Sequence, residues 1–283
     1  MKAVEAISLS PAAREWLAEG GEARVLHVFR PACNLVNTEG RVLSLVSPKL
    51  GNGPFAAVLD YDDFEHDISA ESRVMMQGDR LVLGHLEMYF GGAVNWNPRP
   101  DWDTLSKTMR AHTRSGYTQS IEALLAAEAP SDSLAALLFG SSDSPNGSIA
   151  GRARSGIEEL SEETTRLTGA ETLAGLGPGL TPAGDDFLVG FMLAAWYCNP
   201  NSAEDFCQPL AAAAAPRTTT LSRAWLGATA RGQAGEPWHR FLDTLSGENE
   251  ADVIAAARAI LPTGHTSGAD ALAGFVFGFE RLE

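Results

Sequence analysis

The sequence predicts an α+β fold: a β-rich barrel or sandwich-like domain over residues 1–101, then a mainly α-helical domain over residues 102–283. Three observations point there. Short runs of strand formers separated by turn signals fill the first part. Beyond Trp102 the runs lengthen and take helical spacing. A wholly apolar stretch over residues 187–198 is too short to cross a bilayer, which takes about 20 residues, and so predicts a buried helix.

In the first part, strands are expected over residues 23–29, 41–46, 55–59 and 80–84, each rich in Val, Leu, Ala or Phe. Thr38-Glu-Gly40, Gly51-Asn-Gly-Pro54 and Gln77-Gly-Asp79 punctuate them as turns. That spacing suits a small antiparallel barrel or sandwich. One helix is expected over residues 8–19, with Ser10 as cap and Pro11 in its first position, where proline's missing N–H costs nothing. Asn34, Asn52 and Asn97 read as turn residues. Asn95-Trp-Asn-Pro-Arg-Pro100 gathers an aromatic ring, amides and a cation near the expected domain junction, which makes Asn97 a candidate ligand contact.

In the second part, helices are expected over residues 104–114, 120–127, 133–139, 157–167, 187–198, 219–230, 237–245, 251–260 and 269–282. Residues 140–148, dense in Ser, Gly and Pro, read as a loop or linker. A formal net charge of −15 argues against a nucleic-acid partner, whose footprint is basic. Cys33, Cys198 and Cys207 lack CxxC spacing, so neither zinc nor a disulfide framework is expected. No long apolar core of a signal peptide follows Met1, and the expected location is the cytoplasm, with no membrane contact.

The densest local signal is Gly175-Leu-Gly-Pro-Gly-Leu-Thr-Pro-Ala-Gly-Asp-Asp-Phe-Leu-Val-Gly190. A weaker echo is Gly264-His-Thr-Ser-Gly-Ala-Asp-Ala-Leu-Ala-Gly-Phe275. With one residue gapped, Thr181 aligns with Thr266, Gly184 with Gly268, Asp186 with Asp270, Leu188 with Leu272, and Gly190 with Gly274. Two copies of one loop-to-helix device suggest two helix N-termini aimed at one site. Gly175, Gly177 and Gly179 let a backbone turn sharply and approach a ligand. Thr181 and Thr266 can cap a helix or bond a ligand oxygen. The helix N-terminus offers amides and a positive dipole end, which suits a small anion.

Carboxylates beside an anion would repel it, and three resolutions stay open. The alternatives are that Asp185, Asp186 and Asp270 serve as helix caps, that they hold a magnesium ion, or that one orients a reacting group or amide nitrogen. His265, between Gly264 and Thr266, is a candidate for acid–base work. Gly177, Gly179, Thr181, Gly184, Thr266 and Gly268 are candidate substrate contacts. So is Arg223, from the segment Pro216-Arg-Thr-Thr-Thr-Leu-Ser-Arg223, which sets three hydroxyls between two arginines.

At these residues the chain resembles a family. Gly177-Pro-Gly-Leu-Thr-Pro-Ala-Gly-Asp-Asp-Phe-Leu-Val-Gly190 is similar to the signature of the AllH-type family, which includes a subunit of oxamate carbamoyltransferase and members loosely called carboxylases. Gly51-Asn-Gly-Pro-Phe55, Trp96-Asn-Pro98, Thr220-Leu-Ser222 and the segment from Gly264 to Gly274 extend the resemblance. It implies carbamoyl transfer between oxalurate and phosphate, giving oxamate and carbamoyl phosphate, in purine or allantoin nitrogen catabolism. It also implies work with two other subunits. All these substrates and products are anions, and no Ser-His-Asp or cysteine nucleophile pattern is visible, which favours direct transfer. Two further readings compete. One is a stand-alone magnesium hydrolase, loosely like the ADP-ribosylglycohydrolases, with Asp185, Asp186 and Asp270 as ligands. The other is a non-catalytic assembly protein that binds a small anion.

Overall fold

The protein is described from a computed structural model covering residues 1–108, 111–140, 148–247 and 249–282. Residues 141–147 of the expected linker and 109–110 of the helix expected over 104–114 lie outside the described residues. The chain forms two compact units, Met1–Pro98 and Arg99–Glu283.

The first unit is a nearly closed barrel made from a mixed sheet. Its elements are β1 (Lys2–Leu9), α1 (Pro11–Glu19), β2 (Ala23–Phe29), β3 (Ala32–Asn37), β4 (Val42–Val46), β5 (Ala56–Leu59), α2 (Phe64–Asp67), β6 (Val74–Gln77), β7 (Arg80–Leu83), β8 (Leu86–Tyr89) and β9 (Val94–Asn95). The strand order is β2-β3-β4-β5-β1-β8-β7-β6, with β9 paired to β1. The sheet is not wholly antiparallel as expected: β4 pairs with β5, and β1 with β8 and β9, in parallel. The chain leaves β4 through the Gly51-Asn-Gly-Pro54 loop and re-enters the sheet in the same direction, so that loop is a crossover and not a hairpin turn.

Alternation explains the barrel core. Cys33 and Leu35, Leu43 and Leu45, Ala57 and Leu59, Leu81 and Leu83, and Leu86 and Met88 stand two apart on their strands and point to one buried face. β1 contributes Val4 and Ala6, with a register shift between Ala6 and Ser8 where it pairs with β5. Ser10 caps α1 by accepting the Ala13 N–H at 3.1 Å, with Pro11 in the first turn. Trp16 from α1 is buried and donates its indole N–H to the Arg41 carbonyl at 3.0 Å. Asn34 is not a turn residue. It lies within β3, buried, and its side-chain oxygen accepts the Ser44 hydroxyl.

The second unit is helical: α3 (Trp102–Thr108), α4 (Ala111–Glu128), α5 (Leu134–Phe139), α6 (Ser148–Ser161), α7 (Arg166–Leu173), α8 (Ala183–Cys198), α9 (Pro200–Ala214), α10 (Thr220–Ala230), α11 (Glu236–Leu245), α12 (Glu250–Ile260) and α13 (Ser267–Arg281). The helix expected over 157–167 breaks after Ser161. Gly169 of α7 packs so tightly on α6 that a Cβ would overlap the Leu160 backbone nitrogen, so the chain folds back there. α9 was not expected, because Pro200 and Pro209 interrupt its pattern. Pro200 sits in its first turn, while Pro209 is carried inside the helix.

α8 and α13 form the centre of this unit. Phe187, Leu188, Phe191, Met192, Trp196 and Tyr197 of α8 are all buried, as are Leu272, Phe275, Val276 and Phe279 of α13. With apolar residues on every face, neither helix has a solvent side, and both are enclosed by their neighbours. Small residues set the distance between them. A Cβ on Gly190 would overlap the Ala271 carbonyl, one on Gly274 the Phe187 carbonyl, and one on Gly278 would press on Ala194 and Phe191. No described helix is long and apolar enough to cross a membrane.

Candidate functional site

Because α8 and α13 lie side by side, their two N-terminal loops meet. Thr181 Oγ1 and Ser267 Oγ are 2.9 Å apart, one from each loop. The loop before α8 needs its glycines: Gly177 and Gly179 have φ of 114° and 98°, a region that side chains with a Cβ rarely enter. Gly184 and Gly268 are buried equivalents, and a Cβ on either would overlap the carbonyl oxygen of Leu173 or Ile260. These two glycines therefore seat each helix start against the end of the helix before it, α7 or α12.

The paired aspartates have different jobs. Asp185 turns back into its own loop and is buried. Its Oδ1 accepts the Gly175 N–H at 3.0 Å and its Oδ2 accepts the Thr218 hydroxyl. The loop amide that the sequence offered to an anionic ligand is thus taken by the protein's own carboxylate. The next hydroxyl, Thr219, donates to the Leu180 carbonyl at 2.6 Å and caps α10 by accepting the Ser222 N–H at 3.1 Å. The Thr218–Thr219 pair therefore ties the glycine loop to α10.

Asp186 and Asp270 face the place where the loops join. Asp270 is fully buried. Its Oδ1 accepts the Leu134 N–H at 2.6 Å, and the Thr266 hydroxyl and Ala135 amide also favour its charged form. It thereby satisfies the first-turn amides of α5, whose other cap is Ser133 Oγ on the Ala136 N–H at 3.0 Å. Its Oδ2 is enclosed and has no hydrogen-bond partner. Asp186 is only partly covered as a residue, yet its Oδ2 is also enclosed and without a partner. The hydroxyls of Ser267 and Thr181 favour the charged form of its carboxyl.

Burial dominates the electrostatics. It pushes the Asp270 carboxyl up to about 7, against the opposing pull of Thr266 and the α5 amides. Burial likewise raises Asp186 well above the ordinary carboxylate range. The Ser267 and Thr181 hydroxyls oppose this, and the nearby Asp270 charge adds to it. Asp185 is raised by burial too, with the Thr218 hydroxyl opposing. Two interacting acids in one enclosed place favour a state in which a proton stays with the pair.

The remaining candidates lie elsewhere. His265 is exposed and sits 3.3 Å from Asp132. Arg223 is exposed and donates to the Ala215 carbonyl at 3.0 Å, closing the end of α9. Arg217 pairs with Glu171 at 3.0 Å. Asn97 is exposed and belongs to the N-terminal unit, two residues after β9. Among the described residues, no group of three or more His, Cys, Asp or Glu side chains is arranged to hold a metal ion. Sequence reasoning missed Ser267, Thr218 and the α5 amides as partners of the acids. Ser267 had a signal, since it stands inside the echoed motif, and Thr218 stands in the hydroxyl-rich segment 216–223, though nothing there pointed to Asp185; α5 had none.

Two family models match the chain. Residues 173–279, which carry both loops and both buried helices, match the one described as oxamate carbamoyltransferase subunit AllH. Residues 5–95 match the AllH family N-terminal domain. No solved structure matches the chain. With both units matched and both motif loops inside the larger match, the chain belongs to the AllH family.

Proposed function

We propose that this chain is a subunit of an oxamate carbamoyltransferase, acting with two other subunits in cytoplasmic purine or allantoin nitrogen catabolism. The observation that carries the reading is the family match over residues 173–279, which spans the segment where the loops before α8 and α13 meet. The reaction is oxalurate plus phosphate giving oxamate plus carbamoyl phosphate. A phosphate oxygen attacks the carbamoyl carbon, the bond from that carbon to the inner nitrogen breaks, and the proton of the hydrogen phosphate ends on the departing oxamate nitrogen.

That departure is the demanding part, because an amide nitrogen leaves poorly unless it is protonated. Asp186 and Asp270 supply a fitting environment: burial raises the Asp270 carboxyl to about 7 and the Asp186 carboxyl well above the ordinary carboxylate range, which favours holding a proton. Thr181, Thr266 and Ser267 keep them in place. In this reading Asp185 supports the loop, and Gly177, Gly179, Gly184 and Gly268 shape it.

The test is purification of the native complex, then an oxalurate and phosphate assay with the chain present and omitted. Phosphate-dependent oxalurate cleavage that needs this chain supports the proposal. Full activity of the remaining subunits without it contradicts the proposal.

A further inference from the structure

We propose that the open edge of β9, with Arg14 lying along it, is the docking site for an extended, acidic segment of a partner subunit. The inference goes beyond carbamoyl transfer and rests on that reading only for the existence of a partner chain. It lies wholly within the first unit and uses two asparagine motifs that the proposed reaction leaves idle.

Gly51-Asn-Gly-Pro54 and Asn95-Trp-Asn-Pro98 meet at the end of β1. Asn52 Oδ1 accepts the Ser8 hydroxyl at 2.5 Å. Ser8 and Leu9 pair in parallel with Val94 and Asn95 of β9. The Trp96 N–H donates to the Leu9 carbonyl at 2.9 Å. Alternate residues of a strand turn their backbone groups to opposite sides. Val94 and Trp96 therefore face β1, and Asn95 between them turns its N–H and C=O outward. Among the described residues β9 pairs with no strand but β1, so that outer edge is open. Val94 is 63% exposed, and Asn95 and Arg14 are exposed beside it.

The cation on this edge is held in place. Arg14 Nε donates to Asn95 Oδ1 at 3.0 Å, and Nη2 donates to the Ala93 carbonyl at 3.4 Å. Ala93 stands two residues before Asn95, so its carbonyl lies on the same outer side and the guanidinium runs along it. Among the described residues no carboxylate pairs with Arg14, in a chain whose formal net charge is −15. A charge that only keeps foreign strands off an edge needs no fixed posture. A guanidinium oriented by two neutral acceptors keeps its charge unspent and its fork ready for a carboxylate. An incoming strand would offer a carbonyl to the Asn95 N–H, cover Val94 and bring an Asp or Glu to Arg14. A second copy of this chain does not supply that acid: β9 against β9 would set two Arg14 side chains on one edge, and like charges there repel. The occupant is therefore a different chain.

The test measures assembly of the complex from purified full-length subunits. Arg14→Glu should weaken the affinity of this chain for its partners about 100-fold. Arg24→Glu makes the same charge change at an exposed arginine of β2, also without a carboxylate partner among the described residues, and should leave assembly unchanged. Asn95→Pro removes the outward N–H at a strand edge, where proline is tolerated, and should weaken assembly about tenfold. A photo-reactive residue in place of Val94 reads the contact directly and keeps the proposal testable if a variant misfolds. It should cross-link to an Asp- or Glu-containing segment of another subunit. Wild-type affinity in folded Arg14→Glu, equal losses for Arg14→Glu and Arg24→Glu, or cross-links only to this chain or a second copy of it overturns the inference. The two readings fail separately. A complex that cleaves oxalurate and assembles normally with Arg14→Glu refutes the docking site alone. A complex whose assembly needs Arg14 but which cleaves no oxalurate refutes carbamoyl transfer alone.

Discussion

Gly190 and Gly274 hold α8 and α13 in a reciprocal contact: a Cβ on the first would overlap the carbonyl of Ala271, and one on the second the carbonyl of Phe187. Each residue lies the same interval along the chain from its counterpart as Asp186 does from Asp270. Exchanging the two helices therefore maps the contact onto itself, and this local two-fold relation brings the two aspartates to one place.

Gly190→Ala and Gly274→Ala should each destabilise the protein by about 3 kcal/mol, because both overlaps are with backbone that cannot step aside. Gly151→Ala, at an exposed position in α6 where a Cβ meets nothing, should gain up to about 1 kcal/mol. Urea denaturation of the three variants checks this, and equal midpoints for all three would contradict it.

Asp185→Ala should lower stability by about 2–3 kcal/mol, since it strips the Gly175 N–H and the Thr218 hydroxyl of their shared acceptor. Thr218→Val should reproduce part of that loss. Loss of oxamate recognition by Asp185→Ala at unchanged stability would instead place Asp185 in binding.

Asp270 gives stability a pH dependence of definite sign. Its folded carboxyl titrates at about 7, above the ordinary carboxylate value, so the native state holds a proton that the unfolded chain releases. The resulting stabilisation is fully present below the ordinary carboxylate range and is lost as pH rises through about 7. Relative to Asp270→Asn, the wild-type protein should lose up to about 1.4 kcal/mol per pH unit across that window and level off above it. Parallel melting curves of the two proteins at each pH provide the check. A difference that grows in favour of wild type with rising pH would refute the assignment.

Asp186→Asn should lower kcat/KM for oxalurate in the complex by about 100-fold, and Thr181→Ala by about tenfold, if the pair protonates the departing nitrogen of the substrate. Steady-state kinetics on complexes of equal subunit content measure both. Wild-type kinetics in the two variants would remove these residues from the site.

Much of this architecture was legible in the sequence, for identifiable reasons. The strand over residues 23–29 and the Ser10 cap before Pro11 follow local rules, and they appear as β2 and the start of α1. The glycine–acid motif and its echo marked both buried helices, because an all-apolar run after a capping segment has few other solutions. β1, β3 and the short β6, β8 and β9 were missed, the first two for different reasons. β1 relies on Ala3 and Ala6, weak strand formers, and β3 carries Asn34 in its middle, a residue that usually marks turns. Within the site, the pairing of Asp186 with Asp270 was legible from the aligned motifs. That Asp185 turns away to Thr218, and that Asp270 caps α5, depend on segments far off in the chain. A local pattern cannot specify those partners.

The most direct test of the account is phosphate-dependent carbamoyl transfer from oxalurate by the reconstituted complex, measured with wild-type chain, with the chain omitted and with Asp270→Asn. The account predicts carbamoyl phosphate formation with wild type alone, and little with either alternative although Asp270→Asn still assembles. Undiminished carbamoyl phosphate formation with an assembled Asp270→Asn chain would contradict it.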